Sequence, residues 1–219
     1  MYLHHTIGRG FILEGEEKTK TGLAAAKARV GEAGWKSGYS PAKCAVLREE
    51  FGKAGAEIRD TLAGELVRIE AVTTKDDGGN TYQKAWVHVR DASGVVQILS
   101  GDIEAEFTQR LLAKLEGVQP GAKILIGCMV ETVQRGMRSY ANHIAFVRDA
   151  ADAEVKAPVD HFGAAMAEAR AKEAALIAAD LNDPDLIKAS KAKVKVKHFA
   201  DLLANLAQRF VKPQTAPAA

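Results

Sequence analysis

Between Thr81 and Asp91, rings and cations alternate with small and apolar residues. In an extended chain Tyr82, Lys84, Trp86, His88 and Arg90 fall on one side, and Gln83, Ala85, Val87 and Val89 on the other. The second set can fill a core. The first cannot be buried as a group without stranding charge. Rings interleaved with cations are what stacking of bases and neutralisation of phosphates require. The plainer reading of the same pattern puts Trp86 beneath a helix and leaves Lys84 and Arg90 as solvating groups.

Two further basic elements could serve the same chemistry. The stretch from Gln134 to Tyr140 carries Arg135, Arg138 and Tyr140 in a turn between two strand-like segments, where a second finger could close on a polynucleotide. The turn after the first strand holds Lys75 beside Asp76 and Asp77, a mixture that suits turn chemistry better than phosphate contact. Lys188, Lys191, Lys193, Lys195 and Lys197 form a run with no acidic residue between Leu186 and Phe199. If extended, Lys193, Lys195 and Lys197 would share one side, although such runs are usually solvated segments.

No residue pattern points to an enzyme. Gly8, Arg9 and Gly10 lack the remaining glycines and the strand-to-helix setting of a dinucleotide fingerprint, and no phosphate-binding loop ending in Gly-Lys-Ser/Thr occurs. Cys44 and Cys128 are far apart and have no Cys or His at metal-ligand spacing, so they read as buried thiols, with no metal and no cofactor. His4, His5, His88, His143, His161 and His198 have no acid or thiol at a telling spacing.

The elements that must hold these residues can be read from periodicity. Met1 to Gly15 reads as a strand or irregular arm, Thr21 to Val30 as an alanine-rich helix, and the glycines around Trp35 and Tyr39 as a loop. Ser40 and Pro41 open a helix expected to run to Arg59 and to cap a barrel of strands. From Gly64 the period becomes two. Strands are expected at Gly64 to Thr74, Thr81 to Asp91, Val95 to Ser100, Ala122 to Val133 and Tyr140 to Arg148, with a helix over Asp102 to Leu115. Helices are then expected from Asp160 to Leu181 and from Phe199 to Val211, and a disordered tail from Pro213 to Ala219.

Three strands, one helix and two strands is the order of a five-stranded oligonucleotide-binding (OB) barrel. The expected fold is therefore mainly β: a closed OB-type barrel at residues 62–150, an N-terminal arm and helices at 1–61, a C-terminal helical extension at 151–212 and the tail at 213–219. A length of 219 residues suffices for one good core and a smaller appended one. The net charge of +2 is too small to mark a nucleic-acid binder by itself, so the distribution of cations must decide. No apolar run is long enough to cross a membrane and the start has no signal-peptide pattern, so a cytoplasmic protein is expected.

On the strand order and the Tyr82, Lys84, Trp86 face, residues 62–150 resemble the OB-fold single-stranded-DNA-binding proteins of bacteria, phages and plasmids. The resemblance implies a non-enzymatic protein that coats single-stranded DNA with little sequence preference, in replication, recombination or repair. It also implies recruitment of replication or recombination proteins, and the helical extensions could build a homo-oligomer. The ending Gln214 to Ala219 departs from the bacterial members, which carry an acidic tip there. On this reading Tyr82, Trp86 and Tyr140 stack bases, Lys84, His88, Arg90, Arg135 and Arg138 meet the backbone, and affinity falls steeply with salt. The alternative is an OB-fold protein-interaction adaptor that presents the same face to a peptide.

Overall fold

Among the described residues the chain forms eight strands and six helices. The computed structural model describes residues 2–6, 9–36, 39–75, 78–135 and 138–210, without the side chains of residues 5, 135 and 138–141. Its elements run β1 (Tyr2–Thr6), β2 (Gly10–Leu13), α1 (Glu17–Val30), α2 (Glu32–Lys36), α3 (Pro41–Ala54), β3 (Ile58–Arg59), β4 (Thr61–Lys75), β5 (Thr81–Arg90), β6 (Val96–Asp102), α4 (Glu106–Leu115), β7 (Lys123–Arg135), β8 (Arg138–Asp149), α5 (His161–Ala178) and α6 (Pro184–Arg209). The expected turn at Asp76 and Asp77 and the tail from Pro213 lie outside the described residues.

The strands form one mixed sheet in the order β3-β2-β1-β6-β5-β4-β7-β8, curled into a half-barrel. This corrects the expectation of a closed five-stranded OB barrel. The edge of β6 that a closing strand would need is occupied by β1, which pairs with it in parallel (Tyr2 with Ile98, Leu3 with Leu99, His4 with Ser100). With that edge taken, β8 pairs with no described strand other than β7, apart from a single bridge between Arg148 and Glu154. The fold is also less β-dominated than expected, because the N-terminal segment supplies three strands as well as helices and a long helical pair comes after the sheet.

β4 is shared between two partners. Its first residues, Thr61 to Glu65, pair with β7, and Glu65 to Lys75 pair with β5. The handover happens at Gly64, at φ 156°, where a Cβ would collide with the Arg90 carbonyl, and at a register shift between Leu66 and Arg68. Glycine and a bulge are the devices that bend a strand and let one backbone approach another.

The concave side of the curl is filled. Leu66 and Ile69 of β4, Val87 and Val89 of β5, Leu99 of β6 and Ile126 of β7 meet Phe107, Leu111 and Leu112 of α4 and Phe199, Leu203 and Leu206 of α6 in one core. A smaller core lies on the opposite side of the sheet, where Ile12 and Ile58 pack under Ala26, Leu47 and Phe51 of the α1–α3 pair. α3 starts as expected, with the Ser40 hydroxyl accepting from the Lys43 N–H at 3.2 Å, but ends at Ala54 because Gly55 turns left-handed.

The C-terminal helix differs most from its expected form. It begins at Pro184, capped by Asp183, whose carboxylate accepts from the Asp185 and Leu186 N–H groups, so the whole lysine run is helical. Gly64→Ala should lower unfolding free energy by roughly 3 kcal/mol, because the new methyl must displace backbone and not a flexible side chain. Urea denaturation checks this, and a variant as stable as the parent would show that β4 bends elsewhere.

Candidate nucleic-acid interface

Burial along β5 follows its alternation: Ala85, Val87 and Val89 are in the core, Lys84, Trp86 and His88 are half-buried on the convex side, and Tyr82 and Arg90 are exposed. Across the sheet Trp86 stands opposite Glu70 of β4 and Ser100 of β6. Its ring meets Tyr2 edge-on, with centroids 5.1 Å apart and planes at 64°. Tyr2 is 39% exposed and Tyr82 41%, so these rings have accessible surface. The α1–α3 pair lies over β2 and β3, beyond β1, which keeps it clear of the strand that bears Trp86.

The cations of this face are answered by carboxylates. Lys84 Nζ is 3.8 Å from Asp102, Arg90 Nη1 donates to Glu65 at 3.1 Å, and His88 Nε2 is 2.8 Å from Glu70, which also holds Arg68. The more exposed pairs, Arg90 with Glu65 and Lys84 with Asp102, hold their partners weakly. A phosphate could displace them, but little positive potential is left over. Further cations lie on α6, which packs on the concave side. Lys193 and Lys197 line a 460 Å³ pocket with Gln83 and Glu104, next to a 470 Å³ pocket formed by Tyr82, Asp102 and Val196. Lys197 is paired with Asp201, whereas Lys193 is exposed and has no ion pair among the described residues.

The structure thus brings Tyr82, Lys84, Trp86, His88 and Arg90 to one side of the sheet and adds Tyr2 and Arg68, which sequence reasoning did not assign to this face. Tyr2 gave no signal, since its place depends on the parallel pairing of β1 with β6. For the second finger, the backbone of Arg135 pairs with that of Arg138 at the β7–β8 turn. The side chains of Arg135, Arg138 and Tyr140 lie outside the described residues. Within the lysine run, Lys191 is bound to Glu173 at 2.6 Å and Lys195 sits 5.2 Å from the centre of the Phe162 ring, so neither is spare.

A second polar cluster joins the helices. Glu116 meets His161 Nε2 at 2.8 Å, His161 Nδ1 meets His198 Nε2 at 3.1 Å, and His198 Nδ1 meets Glu168 at 2.8 Å. Each imidazole thus turns one nitrogen to a carboxylate and the other to its neighbouring ring. The chain ties the end of α4 to α5 and α6, which is a structural role. Among the described residues no group of His, Cys, Asp and Glu is arranged to hold a metal ion.

Burial disturbs two groups on the concave side, Cys128 and His143, with Sγ and Nδ1 4.0 Å apart. The Cys128 thiol is pushed up to about 12, against which the Arg9 charge acts weakly, so it stays protonated and is no nucleophile. Burial likewise lowers His143 below the ordinary imidazole value, opposed by Glu106. No helix among the described residues is long and apolar enough to cross a membrane. Compared with known protein families, with curated proteins and with solved structures, the chain matches none, so no likeness identifies it as a single-stranded-DNA-binding protein.

His143 sets a direction for acid stability. Its imidazole is held neutral in the fold and takes up a proton on unfolding, so below the ordinary value of 6.5 the unfolded chain binds more protons and stability falls with pH. Thermal unfolding of the parent and of His143→Gln at neutral and mildly acidic pH should show a smaller acid loss in the variant. Equal losses would place the effect on other groups.

Proposed function

We propose that this protein is a non-enzymatic binder of single-stranded DNA with little sequence preference, serving replication, recombination or repair in the cytoplasm together with proteins of those processes. The observation that carries the reading is Trp86: a half-buried indole braced by Tyr2 on the convex side of the sheet, with Tyr82 exposed on the same strand. A ring fixed in this way offers a stacking surface without first losing side-chain freedom. Stacking leads and charge is secondary, because the carboxylates beside Lys84 and Arg90 already serve as their counterions.

The resulting salt dependence is shallower than the sequence alone suggested, since fewer counterions are released when the cations are pre-paired. In titrations of a fluorescent oligonucleotide, Trp86→Ala should weaken binding about ten-fold. Glu70→Gln should tighten it and steepen its salt slope by freeing Arg68 and His88. No binding at low salt, or binding indifferent to Trp86→Ala, would refute the assignment.

One observation favours a protein-interaction adaptor as a second reading. Ile177, Leu181 and Leu186 are 51%, 47% and 41% exposed around the turn between α5 and α6. Capture of a partner protein that survives nuclease treatment and Trp86→Ala, but is lost on Leu181→Ser, would support it.

A further inference from the structure

A cleft on the far side of α3 has the composition of a nucleotide site. It measures 570 Å³ and is lined by Arg9 after β1, by Tyr39, Cys44 and Arg48 of the α3 region, and by Cys128 and Phe146 of β7 and β8. It lies between the first turns of α3, the opening of β4 at Asp60 and Thr61, and the β7–β8 pair. Its volume falls within the range of small-ligand pockets.

The floor is a ring held flat. Phe146 stands opposite Gly127 and lies against it, so that a Cβ on Gly127 would run into the phenyl ring. Glycine here leaves room for an aromatic platform resting on backbone, the arrangement that stabilises glycines in exposed strands. The Arg148 guanidinium carbon sits 6.0 Å from the ring centre at one border, where its charge is shared with Asp152 at 2.8 Å. Phe146 is only partly buried, so surface remains for another ring to stack upon.

The wall supplies a cation in an unusual state. Arg9 has φ 57°, a left-handed conformation that disfavours an arginine by roughly 1 kcal/mol. The turn is fixed there by its neighbours: Arg9 N–H donates to the Thr6 carbonyl at 3.1 Å, and the Arg9 carbonyl accepts from Arg48 at 3.3 Å. Arg48 is engaged with Asp60 as well, and acts as a positioning residue. The Arg9 guanidinium is exposed and has no ion-pair partner among the described residues, unlike Lys84, Arg90 and Arg68. A strained turn that brings a cation without an ion-pair partner among the described residues to a cleft lined by an aromatic ring suits a binding residue.

We infer that this cleft takes one nucleotide of a single strand, its base stacked on Phe146 and its phosphate on Arg9. The inference rests on the reading of the chain as a single-strand binder and gives that strand a second anchoring point. The two places are connected by β1. Tyr2 at its start touches Trp86, and the turn bearing Arg9 comes after its end, with roughly 13 Å of extended chain from Tyr2 to Thr6. A strand crossing Trp86 and Tyr2 along β1 arrives at Arg9.

The test is fluorescence anisotropy of the full chain with short and long labelled oligothymidylates over a range of salt. Phe146→Leu and Arg9→Asn should each weaken the long oligonucleotide about ten-fold and remove the affinity gained on lengthening. Arg9→Asn, whose new residue tolerates the left-handed turn, should also lower the salt slope by about one. Phe146→Trp should restore binding, and thermal melting establishes that each variant is folded. Wild-type affinity and slope in folded Phe146→Leu and Arg9→Asn, with Trp86→Ala still impaired, would overturn the cleft and leave the main reading intact. Failure of the parent to bind either oligonucleotide would remove both.

Discussion

Everything in this molecule depends on β4 having two partners. A strand that pairs with β7 at one end and β5 at the other must bend sharply between them, and the Gly64 backbone lies so close to the Arg90 carbonyl that no other side chain fits. The bend gives the sheet an inside and an outside. Inside, one face of every long strand reaches α4 and the last turns of α6, and the main core forms there. Outside, the same strands show their other face, and only the β2–β3 end receives a helical cover. Trp86 is left on the outer face by this geometry, beside Tyr2 and away from the helices.

That placement sets a physical balance that total charge does not reveal. A surface with Lys84, Arg90 and Arg68 would be strongly cationic if Asp102, Glu65 and Glu70 were elsewhere, but Asp102 and Glu65 stand across from Lys84 and Arg90, and Glu70 meets Arg68 two residues away on β4. Rings braced by rings and cations held by exchangeable partners suit a ligand that is long, flexible and gripped weakly at many points. The spare cations sit at the margins, Lys193 of α6 at the Tyr82 end and Arg9 at the turn after β1.

The sequence carried the local part of this design and not the global part. Period-two patterning marked β5 and the sides its residues take, because strand alternation needs no knowledge of partners. Ser40 with Pro41 marked the start of α3 for the same reason. Closure was beyond reach: whether β6 offers an edge to β8 depends on Tyr2 to Thr6, about ninety residues earlier, pairing in parallel with it. The Lys-Val alternation at Lys193 to Lys197 suggested an extended segment, yet the Asp183 cap and the anchoring of Phe199, Leu202, Leu203 and Leu206 in the core carry a helix through it. The Phe146 platform gave no sign, since a lone aromatic and a distant lone glycine mean nothing until β7 and β8 set them face to face.

Photo-crosslinking to an oligonucleotide containing 5-iodouracil, followed by peptide mapping, asks most directly whether the convex face carries the strand. The account predicts adducts in the β5 peptide at Trp86 or Tyr82 and in the β1 peptide at Tyr2. Adducts confined to the helical pair α5 and α6, with β5 unmodified, would contradict it.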